Sequence, residues 1–288
     1  MVLNNIFNSN ISNLVELEFY NQVIANLAAE VPGLGNSYDI VIVSDPSDTP
    51  FKPLPATDRP KVVFSFSDEN NRLPDYANND DVILVFKCYA PYSPHPKLCP
   101  IPLPYKAGFS PRPEPYDQRQ TDLFFSGHKN GKTREELAEQ LKIVIPGNHH
   151  INFTESFGTG YSLDKYSQIL GGSKFAICPP GNNNETFRHI EAAMSGCVII
   201  SGPQAAFWYN YQVPYIYINN WDELPAVYEI LAKDPALCAK LSADSLTYYQ
   251  KFLSVEAVSE VCIKTLKHEL SKRFDYYSPQ ITLNTNLL

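Results

Sequence analysis

Pro180, Gly181, Asn182, Asn183, Asn184, Glu185, Thr186, Arg188 and Glu191 form the segment of this chain best suited to chemistry. They sit between the apolar run Lys174 to Cys178 and a second apolar run that opens at Cys197, behind Gly196. The pattern predicts strand, loop, helix and strand, with a helix over 184–195 capped by Asn184. Such a loop aims unpaired helix-terminal amides and the positive end of the dipole outward, which suits a pyrophosphate without any large basic patch. Gly181 lets the backbone approach an anion closely. Glu185, Arg188 and Glu191 recur every three residues and so lie near one helix face. Arg188 can fork onto phosphate oxygens while Glu191 accepts from ribose hydroxyls. The same triplet also suits surface ion pairs on an amphipathic helix, and spacing alone leaves both readings open.

A second loop, from Ser126 to Arg134, follows another apolar run and opens another helix. Gly127, Lys132 and Arg134 are its candidate anion contacts, because cations near a helix N-terminus are unfavourable until an anion compensates both. The loop fails the G-x-x-x-x-G-K-[ST] pattern, which argues against an ATPase.

These loops need elements to hold them. Leu14, Leu17, Tyr20, Ile24, Leu27 and Val31 recur every three or four residues behind Ser12, predicting an opening helix. Three nearly continuous apolar runs follow, at 38–44, 61–67 and 81–87, as expected of strands covered on both faces. The Pro-rich stretch 104–120 is too stiff and polar for a core element. Beyond it strands and helices alternate: strands at 121–126, 151–154, 174–178, 197–201 and 215–218, and helices at 132–142, 162–170, 184–195 and 221–232. That rhythm predicts a parallel sheet with crossover helices. Two further helices are expected between 235 and 273, marked by Leu237, Leu241, Leu246, Tyr249, Val258, Val261, Leu266 and Leu270.

Composition narrows the function. The 288 residues carry a net charge of −8, with 44% hydrophobic and 19% charged residues, so the chain should be globular and is unsuited to nucleic acid. Its 18 tyrosines and 16 phenylalanines fill cores or supply stacking platforms. Six cysteines occur without a C-x-x-C pair and are expected to be reduced and buried. No signal segment or membrane-spanning run is evident, and the sequon at Asn184 falls inside the candidate binding loop, so a cytoplasmic setting is expected. The sequon at Asn10 and that at Asn152 complete the set.

Phe125 to Gly127 with Arg134, and Tyr166 to Gly196 with Thr186, Arg188, Glu191 and Cys197, resemble the exostosin-type glycosyltransferases over about residues 120–202. The resemblance implies an α/β GT-B architecture, two Rossmann-like lobes facing a cleft, and an inverting, metal-independent transfer from a nucleotide-sugar held by the C-terminal lobe. It assigns Arg188 and Arg134 to the diphosphate and Glu191 to the ribose. It implies a UDP-sugar as donor substrate, no cofactor, and a carbohydrate acceptor. The expected organisation is an acceptor lobe over 1–104, a linker over 105–120, a donor lobe over 121–255, and a helix and tail over 256–288 packing back on the first lobe. The chain departs from the family in its short N-terminal lobe and in showing no anchor run. It is in this respect similar to a chlorovirus-type xylosyltransferase, which makes xylose the expected sugar.

An inverting transfer needs a base within reach of the acceptor hydroxyl. Ligands of open α/β sheets bind at the carboxyl ends of strands, which selects Asp68 first, then Glu69 and Asp45. Each could equally cap a loop. His95, His128, His149 and His150 read as solvated loop histidines, and no D-x-D triplet or metal-ligand spacing occurs. A nucleotide-sugar epimerase and a noncatalytic glycan-binding protein are the alternative functions on the same fold.

Overall fold

The computed structural model describes residues 6–9, 14–143, 147–156 and 159–277. In chain order its strands and α-helices are β1 (Ile6–Ser9), α1 (Leu17–Glu30), β2 (Asp39–Ser44), β3 (Lys61–Phe66), β4 (Val82–Lys87), β5 (Leu98–Pro100), β6 (Thr121–His128), α2 (Gly131–Gln140), β7 (His149–Thr154), α3 (Leu163–Gly171), β8 (Ser173–Cys178), α4 (Phe187–Met194), β9 (Val198–Ser201), β10 (Ile216–Tyr217), α5 (Leu224–Ala232), α6 (Pro235–Tyr248) and α7 (Val255–Tyr277). They build two five-stranded sheets, ordered β1-β2-β3-β4-β5 and β10-β9-β8-β6-β7. Every pairing is parallel. This is the two-lobed α/β arrangement of the GT-B class.

Strand periodicity explains how the first sheet is covered. Ile40, Ile42, Val62, Phe64, Phe66 and Phe86 point to one face and pack with Phe19, Tyr20, Val23, Ile24 and Leu27 of α1. The alternate residues Val41, Val43, Val63 and Val85 point to the other face, where Phe51, Leu54 and Tyr76 cover them in place of a crossover helix. Phe51 and Leu54 of the β2–β3 connection and Tyr76 of the β3–β4 connection thus do a helix's work. The opening helix begins at Leu17, so Leu14 precedes it, and Ser12 and Asn10 lie outside the described residues.

In the second sheet, Leu123, Phe125, Phe175, Ile177, Val198 and Ile200 pack against Leu137, Trp221, Leu224 and Leu231. Phe124, Ala176, Cys178 and Ile199 face the opposite way, toward Leu170 and the small stripe Ala192, Ala193 and Met194 of α4. His149 and His150 begin β7 and are not in a loop, and the His149 ring meets Tyr228 edge-on at 5.8 Å.

After α6 the chain makes a π-helical turn at Tyr249–Leu253 and crosses to the first lobe. Ser254 accepts the amide of Ala257 and starts α7. Val258, Cys262, Leu266 and Leu270 bury one stripe of α7 against α1 and β4, with Cys262 taking the place expected of Val261. The Pro-rich stretch, expected outside the core, instead contributes Tyr105 and Phe109 to it, because its polar groups turn outward while these rings fill the seam between the lobes. It is also pinned at both ends: Ala107 N donates to Val15 O at 2.9 Å, and Glu114 N to Gly171 O at 3.1 Å. All six cysteines are buried free thiols. Among the described residues no helix is long and apolar enough to cross a membrane.

Candidate functional site

Residues at or just past the carboxyl ends of β3, β6 and β8 border one cleft, where ligands of parallel α/β sheets bind. A cavity of about 400 Å³ lies between Glu16, Ser67, Glu69 and Tyr89 on one side and Arg134, Gly181, Asn182, Asn183 and Thr186 on the other. A second cavity of about 150 Å³ continues into the C-terminal lobe, lined by Lys106, Ser126, Gly127, Tyr161, Tyr166, Arg188 and Glu191. His128, Arg134, Thr186 and Phe187 line both.

The helix that follows the loop at 179–186 starts later than its sequence suggested. Thr186, not Asn184, is the N-cap, and α4 runs only over Phe187–Met194. The Thr186 side chain takes the backbone N–H of His189, and His189 Nδ1 accepts the Thr186 amide at 3.2 Å. That acceptor role requires a neutral imidazole. Burial enforces it by holding His189 down at about 3, well below the usual histidine range. Asn184 is left outside the helix, where its carbonyl accepts from Gln204 at 3.1 Å.

Arg188 projects from the first turn of α4 and is 7% exposed. Its guanidinium lies 4.6 Å over the Phe125 ring, and Nη2 donates to the Ser126 carbonyl. Nε and Nη1 are buried with no partner among the described residues. Arg134, also 7% exposed, donates from Nε to Pro180 O at 3.0 Å and from Nη1 to His128 O at 2.7 Å. Burial first, and the Arg188 charge second, lower Arg134 to about 10. Neither arginine belongs to any ion pair among the described residues. Two buried cations side by side, neither in a salt bridge, are costly, by several kcal/mol each on a rough scale, and an anion between them would relieve both.

The glycines fit this reading. A Cβ on Gly127 would stand 2.7 Å from Arg188 Nη2, and one on Gly181 would stand 3.2 Å from Arg134 Nη2. Glycine at each position is what allows the guanidiniums to lie against the backbone.

Glu191, 4% exposed, accepts Tyr166 OH at 2.7 Å and the Lys106 amide at 3.2 Å. Burial raises its carboxyl against those two hydrogen bonds and the nearby Arg188 and Lys106 charges. Glu185 precedes α4 and so does not share its face with Arg188 and Glu191. Its carboxylate lies between the lobes, accepting Leu103 N at 2.7 Å from the first and Tyr209 OH at 3.1 Å from its own, and burial lifts it to about 7. Asn182 and Asn183 also reach across the cleft: Asn182 Nδ2 donates to Glu69 Oε2 at 2.5 Å, and Asn183 Nδ2 to Glu69 O at 2.8 Å and to Asn71 Oδ1.

Lys132, Asp68 and Asp45, all selected by sequence, stand apart. Lys132 is 88% exposed in its side chain and faces Glu136, away from both cavities. Asp68 is fully buried, with Arg72 Nε on Oδ1 at 2.8 Å and both Arg72 N and Lys87 Nζ on Oδ2, at 2.8 and 3.1 Å. Those contacts consume its acceptor capacity and hold the Ser67–Arg72 loop in place, with Ser67 and Asn71 both at positive φ. Asp45 is likewise buried, accepting Tyr76 OH at 2.9 Å. The structure adds Glu16, Tyr89, Lys106, His128 and Tyr166 to the cleft. Of these, only His128 and Tyr166 lie in the motif segments. Among the described residues no group of three His, Cys, Asp or Glu side chains is placed to hold a metal ion.

The chain is similar to several known proteins. Across 160 residues, 56% of this chain, it is 29% identical to a protein named a probable glycosyltransferase in Arabidopsis thaliana. The chain spans about a third of that relative's length, 31%. Two solved structures align at a TM-score of 0.46: the complex of accessory secretory proteins 1, 2 and 3 of Streptococcus pneumoniae, at 10% identity over 83% of this chain and 54% of that one, and a GtfA/B complex, at 15% identity over 89% and 61%. Residues 124–270, from the middle of β6 through most of α7, match the model of the RXYLT1 C-terminal domain. With Arg134, Arg188 and Glu191 all inside that match, which takes in just over half of the sequence, the chain belongs to the RXYLT1 C-terminal domain family.

Proposed function

We propose that this protein is a glycosyltransferase that moves a sugar from a nucleoside diphosphate carrier to a carbohydrate hydroxyl. The observation that carries the reading is the pair of buried guanidiniums, Arg134 and Arg188, which line the cleft without a salt bridge among the described residues, two nitrogens of Arg188 having no hydrogen-bond partner there. A diphosphate supplies the missing charge, and its developing negative charge on bond cleavage is what such preorganised donors stabilise best. Glu191 at the inner cavity suits the ribose hydroxyls, and the glycine-bearing loop at 180–183 suits close approach to the phosphates. The name of the Arabidopsis thaliana relative and the two-lobed architecture support the same class. Inversion at the anomeric carbon, no metal requirement, and UDP-xylose as donor belong to this proposal through the exostosin-type resemblance.

The test is calorimetric titration of the protein with UDP and with UDP-xylose, UDP-glucose and GDP-mannose, with and without a chelator. One of the UDP ligands is expected to bind, and to raise the melting temperature, because a ligand that binds only the folded state stabilises it by mass action. If no nucleotide or nucleotide-sugar binds and no sugar product forms, the proposal fails. Conversion of the donor in the absence of any acceptor would replace it with an epimerase.

A further inference from the structure

The cleft carries opposite charge on its two walls. Arg134 and Arg188 belong to the C-terminal lobe, and the lining contributed by the other lobe includes Glu16, Glu69 and Tyr89. Glu16 is the residue immediately before α1, and it is 5% exposed. Backbone contacts on both sides fix its position: Val15 O accepts Ala107 N at 2.9 Å, and Glu16 O accepts Tyr20 N at 3.2 Å. Glu18, two residues on, accepts Gly108 N at 2.7 Å. The chain at Glu16 is thereby clamped between α1 and the Pro-rich segment that joins the lobes.

What distinguishes Glu16 from the other carboxylates of the cleft is that the contact acting on it is its own backbone amide, with no side chain of another residue bonded to it among the described residues. It makes no capping bond to α1, and no cation pairs with it among the described residues. Asp68 is consumed by Arg72 and Lys87, Glu185 by Leu103 and Tyr209, and Glu191 by Tyr166 and Lys106. Glu69 is half-exposed and gives Oε2 to Asn182. A carboxylate buried in a cavity, rigidly placed and free of cations, is arranged to exchange a proton.

Resting on the glycosyltransferase reading, we propose that Glu16 is the base that takes the proton of the acceptor hydroxyl. In that step the acceptor oxygen forms a bond to the anomeric carbon. The bond from that carbon to the diphosphate oxygen breaks, its electron pair leaving on the diphosphate opposite Arg134 and Arg188, and the hydroxyl proton passes to a Glu16 carboxylate oxygen. Burial is the main cause that raises Glu16 to about 7, the Glu69 charge adds to it, and the residue's own amide opposes both. Glu69, Glu185, Tyr89, His128 and Arg134 line the same cavity and set the field in which it titrates. A base with that affinity for a proton is half ionised near neutrality and holds the proton well once taken.

The experiment compares wild type, Glu16→Gln, Glu16→Asp and Glu69→Gln in the full chain, with UDP-xylose as donor and a set of p-nitrophenyl monosaccharides as acceptors. UDP affinity by calorimetry, the melting temperature, and kcat as a function of pH are all measured. Glu16→Gln is expected to keep UDP affinity within about twofold while kcat falls roughly 10²–10⁴-fold and loses the acidic limb of its pH profile. Glu16→Asp, which keeps the carboxylate but shortens its reach, is expected to retain intermediate turnover with the limb still present, a result that loss of folding would not produce. The proposal is overturned if Glu16→Gln turns over within threefold of wild type, or if Glu69→Gln alone removes the acidic limb. Wild type that binds no UDP would instead overturn the glycosyltransferase reading itself.

Discussion

Replacing Arg188 by methionine separates a ligand-binding arginine from a structural one. Methionine keeps the apolar stem over Phe125 and removes the charge. If Arg188 held the fold together, deleting one member of a buried, paired network would cost about 3–5 kcal/mol. The structure shows a different balance. The variant loses one hydrogen bond to Ser126 O and a cation–π contact, but it also removes two buried N–H groups that lack partners and a like charge beside Arg134. An unsatisfied buried donor costs about 1–3 kcal/mol, so these terms offset, and the unliganded variant is expected to lie within about 2 kcal/mol of wild type. Donor binding should behave otherwise. Two hydrogen bonds from a charged group, at about 1.5 kcal/mol each or more, correspond to a loss of about 3 kcal/mol, or roughly 100-fold in Kd for UDP. Urea unfolding of the free protein and calorimetry with UDP measure the two quantities. A variant destabilised by more than about 3 kcal/mol with unchanged UDP affinity would refute the reasoning, since the cost would then come from a structural pairing.

Gly127→Ala introduces a methyl group 2.7 Å from Arg188 Nη2 and is expected to weaken UDP binding roughly 10–100-fold with a small change in melting temperature; unchanged affinity would show that the guanidinium moves freely. Asp68→Asn should destabilise the protein by about 3–5 kcal/mol in urea unfolding, because it leaves buried Lys87 without its counter-charge; normal stability with collapsed turnover would return Asp68 to the role of base. Glu185 is raised from about 4.5 to about 7 by burial, so the folded state holds its proton where the unfolded state has lost it, and this group's contribution to stability is full below pH 4.5 and declines as pH rises to about 7. Relative to wild type, Glu185→Gln should therefore lose part of that decline in unfolding free energy measured between pH 4.5 and 7; a parallel pH dependence would show that Glu185 titrates normally.

The architecture is legible in the residues because both lobes announce themselves through local pattern. The runs at 38–44, 61–67 and 81–87 are apolar on both strand faces, and both faces are in fact covered, by α1 and α7 on one and by Phe51, Leu54 and Tyr76 on the other. The stripe on α1 and the small residues Ala192, Ala193 and Met194 on α4 likewise report their packing. Helix starts were less legible. Thr186 outcompetes Asn184 as cap only because His189 is buried neutral and can accept the Thr186 amide, a condition set by surroundings and not by spacing.

The donor segment and the base differ for a physical reason. Gly127, Arg134, Gly181, Arg188 and Glu191 lie on two loop-helix units of one sheet, so local geometry already brings them to one place. The fate of a carboxylate is decided by partners far along the chain: Asp68 by Lys87, Glu185 by Leu103 and Tyr209, Glu69 by Asn182. Glu16 shows no local signal, since a lone glutamate before a helix reads as ordinary capping. By itself, the sequence determined the three central strands of the first sheet and the strand-helix alternation of the second, because these follow from periodicity, whereas β1 and the three-residue β5 at the edges carry no such run. Only the tertiary structure decided which charges are left unpaired at the cleft, because burial and pairing across the two lobes are properties of the packed chain.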